Sequence, residues 1–501
     1  NSVNNTQNNM TATETISEHQ DAAQKKLRRK RHRSAWRFRI YCFLALLLAS
    51  SFLVLFFFNI GSQAYPAFVQ AKIRVEFTYN EKAREIPKLA VDKKYRDLVS
   101  RAGFRQIPAR LEEQPELLGT TQENLVLATT EVDQYLKHFQ DKYHELIQWL
   151  AEHEAEYARK KPRIEEEVAP IQERLYSIDA RLAKLEFQLP QDVLAKSEEV
   201  AELRAKRRQL ERRIAQIREG IVADYEDGRA RQREIEAMFG GKNMIERIDQ
   251  LAATGRIELK FNDTFFARGD SKLPELAGIK AAAIGSLMVL AITLAVSFPI
   301  GVLSAVYLEE FAPDNKFTQT IEVNINNLAA VPSILFGLLG LAIFINFFHV
   351  PRSSVLVGGL TLSLRTLPIL IIATRAALRA VPDSIRQGAL SVGATPWQTV
   401  MHHVLPLSLP GILTGTIIGL AQAMGETAPL LIVGMVAFIP EAPAGITDPT
   451  TVLPAQIYTW SSESMRGFTE KTAAGIVVLL IVLLALNGTA ILLRNKFERK
   501  W

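Results

Sequence analysis

Cysteine is nearly missing from this chain. Cys42 is the single one in 501 residues. No intramolecular disulfide can form, so pairing says nothing about redox compartment. No G-x-x-x-x-G-K-[ST] run occurs. Without that loop and its lysine there is no cradle for nucleotide phosphates, so the chain is expected neither to bind nor to hydrolyse ATP. Cysteine and histidine are not grouped at zinc spacing. His402 and His403 are adjacent, not one helical turn apart, so no metal role is expected. Apolar residues are scarce in Asn1–Gln24, which is expected to be disordered. What the chain has is hydrophobicity in blocks. It is 48% hydrophobic with a formal charge of +6, and its middle is densely charged. That pattern fits an integral membrane protein carrying a soluble insert.

The basic cluster Lys25–Arg39, KKLRRKRHRSAWRFR, stands directly before the apolar run Ile40–Ile60. Alone it suggests nucleic-acid binding. In this place it reads as the cytoplasmic flank of a first span, and no nucleic-acid partner is expected. The run exceeds the 7–15-residue core of a signal peptide, so it reads as retained. Five further spans are expected at about 278–307, 322–349, 354–378, 408–438 and 473–494. With the N-terminus inside, the inner segments carry Arg375, Arg379, Arg386, Arg494, Lys496, Arg499 and Lys500. The outer ones at 350–353 and 439–471 carry Arg352, Arg466 and Lys471. Six spans in the bilayer with both ends inside satisfy that asymmetry. The expected division is a tail 1–39, a first span 40–60, an external domain 61–274 and a membrane core 275–501 with an elbow at 380–406.

The external segment opens and closes with period-two runs. Ile73, Val75 and Phe77 alternate with Arg74 and Glu76; Ile257, Leu259 and Phe261 alternate with Glu258 and Lys260. They predict an antiparallel strand pair near the membrane. Between them the period is helical. Ile171, Ile178 and Leu185 recur every seven residues, as do Leu175, Leu182 and Leu189. After Pro190 come Leu203, Leu210 and Ile217, flanked by Ile214 and Ile221. This predicts a helical hairpin turning near Leu189–Asp192. Arg207, Arg208, Glu211, Arg212 and Arg213 read as its solvated face, with a patch for an anionic partner as the other reading.

The most informative stretch is Gln387–Pro406, QGALSVGATPWQTVMHHVLP. Gly393 can end one short helix in a left-handed conformation. Thr395 can cap the next, with Pro396 at its first position and Gln398 three residues on. The spacing resembles the EAA loop of ABC-importer permeases: E-A-A, three residues, Gly, nine residues, I-x-L-P. Gln387, Gly388 and Ala389 fill the first places, Gly393 the glycine, Leu405 and Pro406 the last two. Gln387 stands for the Glu and His403 for the Ile.

Other runs extend the likeness: Val331-Pro332-Ser333-Ile334 with Gly337, LSLRTLPILIIATRAALRAVP at 362–382, and MGETAPLL at 424–431. Over about 275–440 the chain resembles the PstA-type permeases of phosphate-specific ABC importers, in their extended form with a large external N-terminal domain. The resemblance implies a mostly α protein with a six-helix type I permease bundle in the cytoplasmic membrane. It also implies a second related permease, an ATPase dimer holding ATP and Mg2+, and an extracytoplasmic phosphate-binding protein as partners.

Chemistry independent of that likeness points to two membrane charges. Arg365 and Glu426 each lie in an apolar run. Ionisable groups there usually face a protein interior or an aqueous path. They read either as a structural pair or as part of a substrate path. The planar donors of Arg365 suit an oxyanion, and Glu426 could hold and release it. Ser363 and Thr427 are possible neutral donors. Gly411, Gly415, Gly419 and Ala423 recur every four residues. Such a face admits another helix closely, within this subunit or from a partner permease. The expected function is a permease for inorganic phosphate. Another oxyanion, or a membrane sensor or scaffold using the external domain, are the alternatives.

Overall fold

The computed structural model describes residues 36–497 apart from 189 and 191–196. Most of the basic cluster, the tail before it and the turn near Leu189–Asp192 lie outside the described residues. A lone apolar helix, α1 (Trp36–Phe68), leads directly into strand β1 (Val69–Thr78). β1 is the centre of a three-stranded antiparallel sheet, flanked by β2 (Thr121–Leu127) and β3 (Ile257–Phe261). Ile73 faces Val126 on one side and Ile257 on the other. The period-two run places Ile73, Val75 and Phe77 in the core, where Tyr135, Phe239, Ile245 and Ile248 cover them. β2 has no counterpart in the sequence reading. Its first residues, Thr121, Gln122 and Glu123, are polar and exposed at the sheet edge, so no alternation marks it.

The hairpin is built from α3 (Gln140–Gln188) and α4 (Glu198–Arg218). Leu182 is buried, and Ile171, Leu175, Ile178 and Leu185 are less exposed than their charged neighbours. Arg207, Arg208, Glu211, Arg212 and Arg213 are exposed, as a solvated face requires, and exposed ion pairs also cross the hairpin. Arg181–Glu199 at 2.8 Å, Arg204–Glu186 at 3.1 Å and Arg207–Asp179 at 3.0 Å tie one helix to the other. Each such exposed pair contributes about 0–1 kcal/mol. A third helix, α5 (Ile221–Met238), returns along the base of α3, where Tyr157 stacks on Tyr225.

The membrane part has α7 (Lys280–Phe311), α10 (Val355–Arg379), α12 (Pro396–Met424) and α15 (Arg466–Phe497) as long apolar helices. Between β1 and β2 lies α2 (Arg101–Glu113), and α6 (Lys242–Ala253) precedes β3. Two expected spans are corrected. The stretch expected at 322–349 is a bent pair, α8 (Lys316–Ala329) and α9 (Ser333–Gly340), turned by 104°. Pro332 disfavours helix at Val331, and the chain turns there. The stretch expected at 408–438 ends at Met424. Gly425 caps α12, and α13 (Ala428–Ile432) is a single short turn.

The insert is not a detached unit. Ala64, Ala67, Phe265, Ile279, Trp460 and Phe468 form one core between it and the bundle, with α14 (Leu453–Ser461) supplying Trp460. Beside that core the buried carboxylate of Glu275 accepts from Ser100 Oγ at 2.9 Å and from Thr130. Glu470, at the start of α15, is held by Gln134, by His138 at 2.6 Å and by Lys137 at 3.6 Å. Lys137 also pairs with Asp133 at 2.6 Å. Burial raises the Asp133 carboxyl above the usual carboxylate range, against the pull of Lys137.

Candidate functional site

Arg365 lies midway along α10, three residues before Pro368. Proline has no N–H, so the Leu364 carbonyl beside Arg365 loses its helical partner. Glu426 lies in the break between α12 and α13, not inside a span as the sequence suggested. Arg365 Nη2 meets Glu426 Oε1 at 2.5 Å, and the two side chains are 13% and 18% exposed. Nη1 of the same guanidinium is buried and has no hydrogen-bond partner among the described residues. A buried donor left this way carries a desolvation cost of about 1–3 kcal/mol. The pair therefore satisfies the carboxylate better than the guanidinium.

The break that carries Glu426 is braced by α9. A side chain at Gly337 would meet the Pro429 backbone at 2.8 Å, so only glycine lets the two half-helices cross there. Thr427 stands at the start of α13 with no side-chain cap. Ser363 is not brought to the pair. Its hydroxyl donates to Leu360 O at 2.7 Å, and it shares the face of Gly359, which packs on Ile292 of α7. Thr361 was missed by sequence reasoning. It is fully buried one turn before Arg365, and its Oγ1 has no partner among the described residues. The available signal was its i−4 spacing from an ionisable residue.

The small-residue face packs inside this subunit. Side chains at Gly411, Gly415 and Gly419 would meet Ala377 at 2.6 Å, Ala373, and Thr366 at 2.9 Å, all on α10. Ala423 continues the face into the bundle core.

At the other end of α10, the helix α11 (Asp383–Ser391) carries Gln387, Gly388 and Ala389. Gly393 has φ +88, and Ala394 N donates back to Ala389 O at 3.1 Å. Thr395 Oγ1 accepts from Gln398 N at 3.3 Å while Gln398 Oε1 accepts from Thr395 N at 2.9 Å. This reciprocal cap, with Pro396 first in the helix, starts α12. Pro406 cannot donate to His402, and a wide turn at Val400–Val404 precedes Leu405 and absorbs the misfit. The elbow presents Val392 at 85% and Trp397 at 57% exposure.

The elbow is tied to the C-terminal end of α7. Arg386 meets Glu310 at 2.7 Å and donates to the Val381 and Leu378 carbonyls that end α10. Glu309 takes Arg379 at 2.7 Å and Arg375 at 3.1 Å, and Glu322 takes Arg375 at 2.5 Å. The sequence reading placed Arg375, Arg379 and Arg386 on one side of the membrane without giving them partners.

Residues 297–501 match the family model of the binding-protein-dependent transport system inner membrane component. Residues 24–93 match a second model, a domain of unknown function. The phosphate transport system permease protein PstA 1 of Mycobacterium tuberculosis (strain CDC 1551 / Oshkosh) is 30% identical over 232 residues, 46% of this chain and 75% of that protein. The chain belongs to the ABC-importer permease family. The probable ABC transporter permease protein YqgI of Bacillus subtilis (strain 168) is 29% identical over 259 residues, 49% of this permease and 87% of that protein. Among solved structures, an inward-facing MetNI methionine ABC transporter chain aligns at 20% identity and TM-score 0.34, over 43% of this permease and 95% of that chain. Family members are the multi-pass, non-catalytic inner-membrane components of importers that also use an ATPase and a substrate-binding protein. This permease is such a component.

Proposed function

We propose that this permease carries inorganic phosphate inward through a path lined by Arg365. The observation that carries the reading is the buried guanidinium with one nitrogen on Glu426 and another without a partner. Arginine stays charged and presents planar donors that fit oxyanion oxygens. Nη1 is buried while the pair is closed, so an arriving phosphate competes with Glu426 for the guanidinium and gains Nη1 as the pair opens. Glu426 sits in a break rather than in a helix, so it can withdraw. Thr361 and Thr427 supply neutral donors nearby. Relatives named as phosphate transport permeases support this substrate class.

In this reading both termini are cytoplasmic and residues 61–274 project outward, where a phosphate-binding protein delivers the anion. A second, related permease completes the path. Gln387, Gly388, Ala389, Gly393, Thr395, Leu405 and Pro406 form the grip for an ATPase dimer that holds ATP and Mg2+. Closure of that dimer moves α11, and the ionic ties of Arg386 and Arg379 pass the motion to α7 and α10. The path is thereby exposed alternately to the two sides.

Phosphate uptake in proteoliposomes, scored beside complex yield, tests the path. Arg365→Lys keeps the charge and loses the planar fork, so uptake should fall at least about tenfold while assembly survives. Breaking one partner of a buried pair costs about 3–5 kcal/mol, so Glu426→Gln should lower yield. The double change Arg365→Met with Glu426→Gln should recover yield but not uptake. Near-normal uptake in the double variant sinks the path assignment and leaves a purely structural pair.

A further inference from the structure

We infer that a second anion site lies on the insert side of the bundle, in the cavity where the insert meets the start of α7. The cavity measures about 510 Å³, and Arg105, Arg268 and Lys280 line it together with Asp270, Ser271 and Glu441. Arg105 comes from α2 of the insert. Arg268 and Lys280 come from the stretch linking β3 to the membrane. None of the three cations forms an ion pair or a side-chain hydrogen bond among the described residues. Of the two acids, Asp270 is committed elsewhere. Its Oδ1 accepts from Trp460 Nε1 at 2.9 Å and from Ser271 N at 2.9 Å. The indole and amide N–H groups leave the Asp270 charge in place, so three unpaired cations face two carboxylates, Asp270 and Glu441, and the lining keeps an excess of one positive charge.

The cations are held close by the backbone. Lys280 N donates to Arg268 O at 3.0 Å, and Gly278 N donates to Gly269 O at 2.8 Å. Asp270 N donates to Ile439 O at 3.1 Å, which fixes the loop carrying Glu441 against them. A side chain at Gly269 would strike the Pro440 carbonyl, so the wall is closed on that side. Arg268 and Lys280 thus sit on paired backbone positions, with Arg105 entering from a different part of the chain. Arg105, Arg268 and Lys280 are all exposed along this one space, and together they supply the positive charge and N–H donors that a phosphate group takes. Lys280 is the first residue of a span, which sets the cavity level with lipid headgroups.

The ligand is a phosphate-type anion. It is either free inorganic phosphate waiting at the mouth of the path or the headgroup of an anionic lipid. The free-phosphate case rests on the proposed substrate; the lipid case does not.

The test uses the full chain purified with its partner subunits and placed in nanodiscs. In phosphatidylcholine alone, binding of radiolabelled orthophosphate is measured at low and high salt. In discs containing phosphatidylglycerol, retained lipid is measured by native mass spectrometry. The variant Arg105→Gln, Arg268→Gln, Lys280→Gln is compared with wild type and with the charge-keeping Arg105→Lys, Arg268→Lys. Loss of one ligand by at least about tenfold in the glutamine variant, with retention in the lysine variant, is expected. Phosphate loss identifies the free anion, and phosphatidylglycerol loss identifies the headgroup. If the triple variant fails to assemble, Arg105→Gln alone, at an exposed helix position, should weaken binding about threefold or more. Equal binding of both ligands by wild type and variant overturns the site. Phosphate uptake by wild type without this binding sinks the site alone; binding without uptake sinks the transport reading alone.

Discussion

At Gly415 there is no room for a methyl group, because a side chain there would run into Ala373 Cβ on α10. Overpacking of this kind costs about 1–3 kcal/mol. Gly415→Ala should therefore lower the thermal stability of the purified permease, and Ala373→Gly in the same chain should recover most of it. Differential scanning fluorimetry of the two variants checks this. No recovery would mean that a different helix uses the glycine face. The same scale explains what could be read beforehand about the charges. Arg365 and Glu426 stood out because each interrupts an apolar run. In the letters only the i−4 spacing from Arg365 set Thr361 apart from Ser363. One hydroxyl bonds to its own backbone and the other lies against Gly340 of α9, a difference of helix rotation set by where α7 and α9 pack.

The elbow depends on one backbone angle. Gly393 at φ +88 lies where a β-branched residue is a strained outlier. Gly393→Val should leave the spans inserted and weaken ATPase co-purification, with phosphate uptake falling in step. Normal association and uptake in that variant would remove the elbow from coupling. This element was legible because its punctuation is local: glycine, threonine cap, proline and glutamine at fixed offsets within a few residues. The heptad positions of α3 and α4 were legible for the same reason. The broken elements were not. Leu335, Leu338 and Leu339 read as part of a continuous span, and only the 104° turn at Pro332 shows that α9 is a separate half-helix. Hydropathy reports burial in lipid or protein alike and carries no direction. Likewise MGETAPLL gave a charged residue but not the break that places Glu426 opposite Arg365. The ties from Glu309 and Glu310 to Arg375, Arg379 and Arg386 join residues some seventy positions apart, beyond any periodic signal.

For the molecule as a whole, one labelling experiment tests sidedness and one pair of deletions tests the standing of the insert. Ala180 and Leu390 are both exposed, one on the hairpin and one on the elbow. In a Cys42→Ser background, Ala180→Cys should react with an impermeant thiol reagent in intact spheroplasts. Leu390→Cys should react only after the membrane is opened. Protection of position 180 would reverse the proposed orientation. The insert itself divides into a tip and a base. The tip is the outer part of α3 and α4, joined by heptad contacts and exposed ion pairs. The base is packed into the bundle, and its Ser100, Thr130, Gln134, Lys137 and His138 satisfy Glu275 and Glu470. Removing the tip, about 160–216, leaves that network and the Tyr157–Tyr225 side of the hairpin base nearly untouched. Removing about 80–250 strips the partners from two buried carboxylates. A buried charge left unpaired costs about 3–5 kcal/mol, a large part of the stability of a membrane domain. The tip deletion should therefore assemble at near-normal yield, while the larger deletion should lose most of the complex. Adding Glu275→Gln and Glu470→Gln to the larger deletion should restore part of the yield, because neutral amides carry a smaller desolvation cost. Complex yield and melting temperature in detergent decide the outcome. Full assembly of the 80–250 deletion without those changes would show that the bundle holds its own outer end, and that the insert is a detachable module after all.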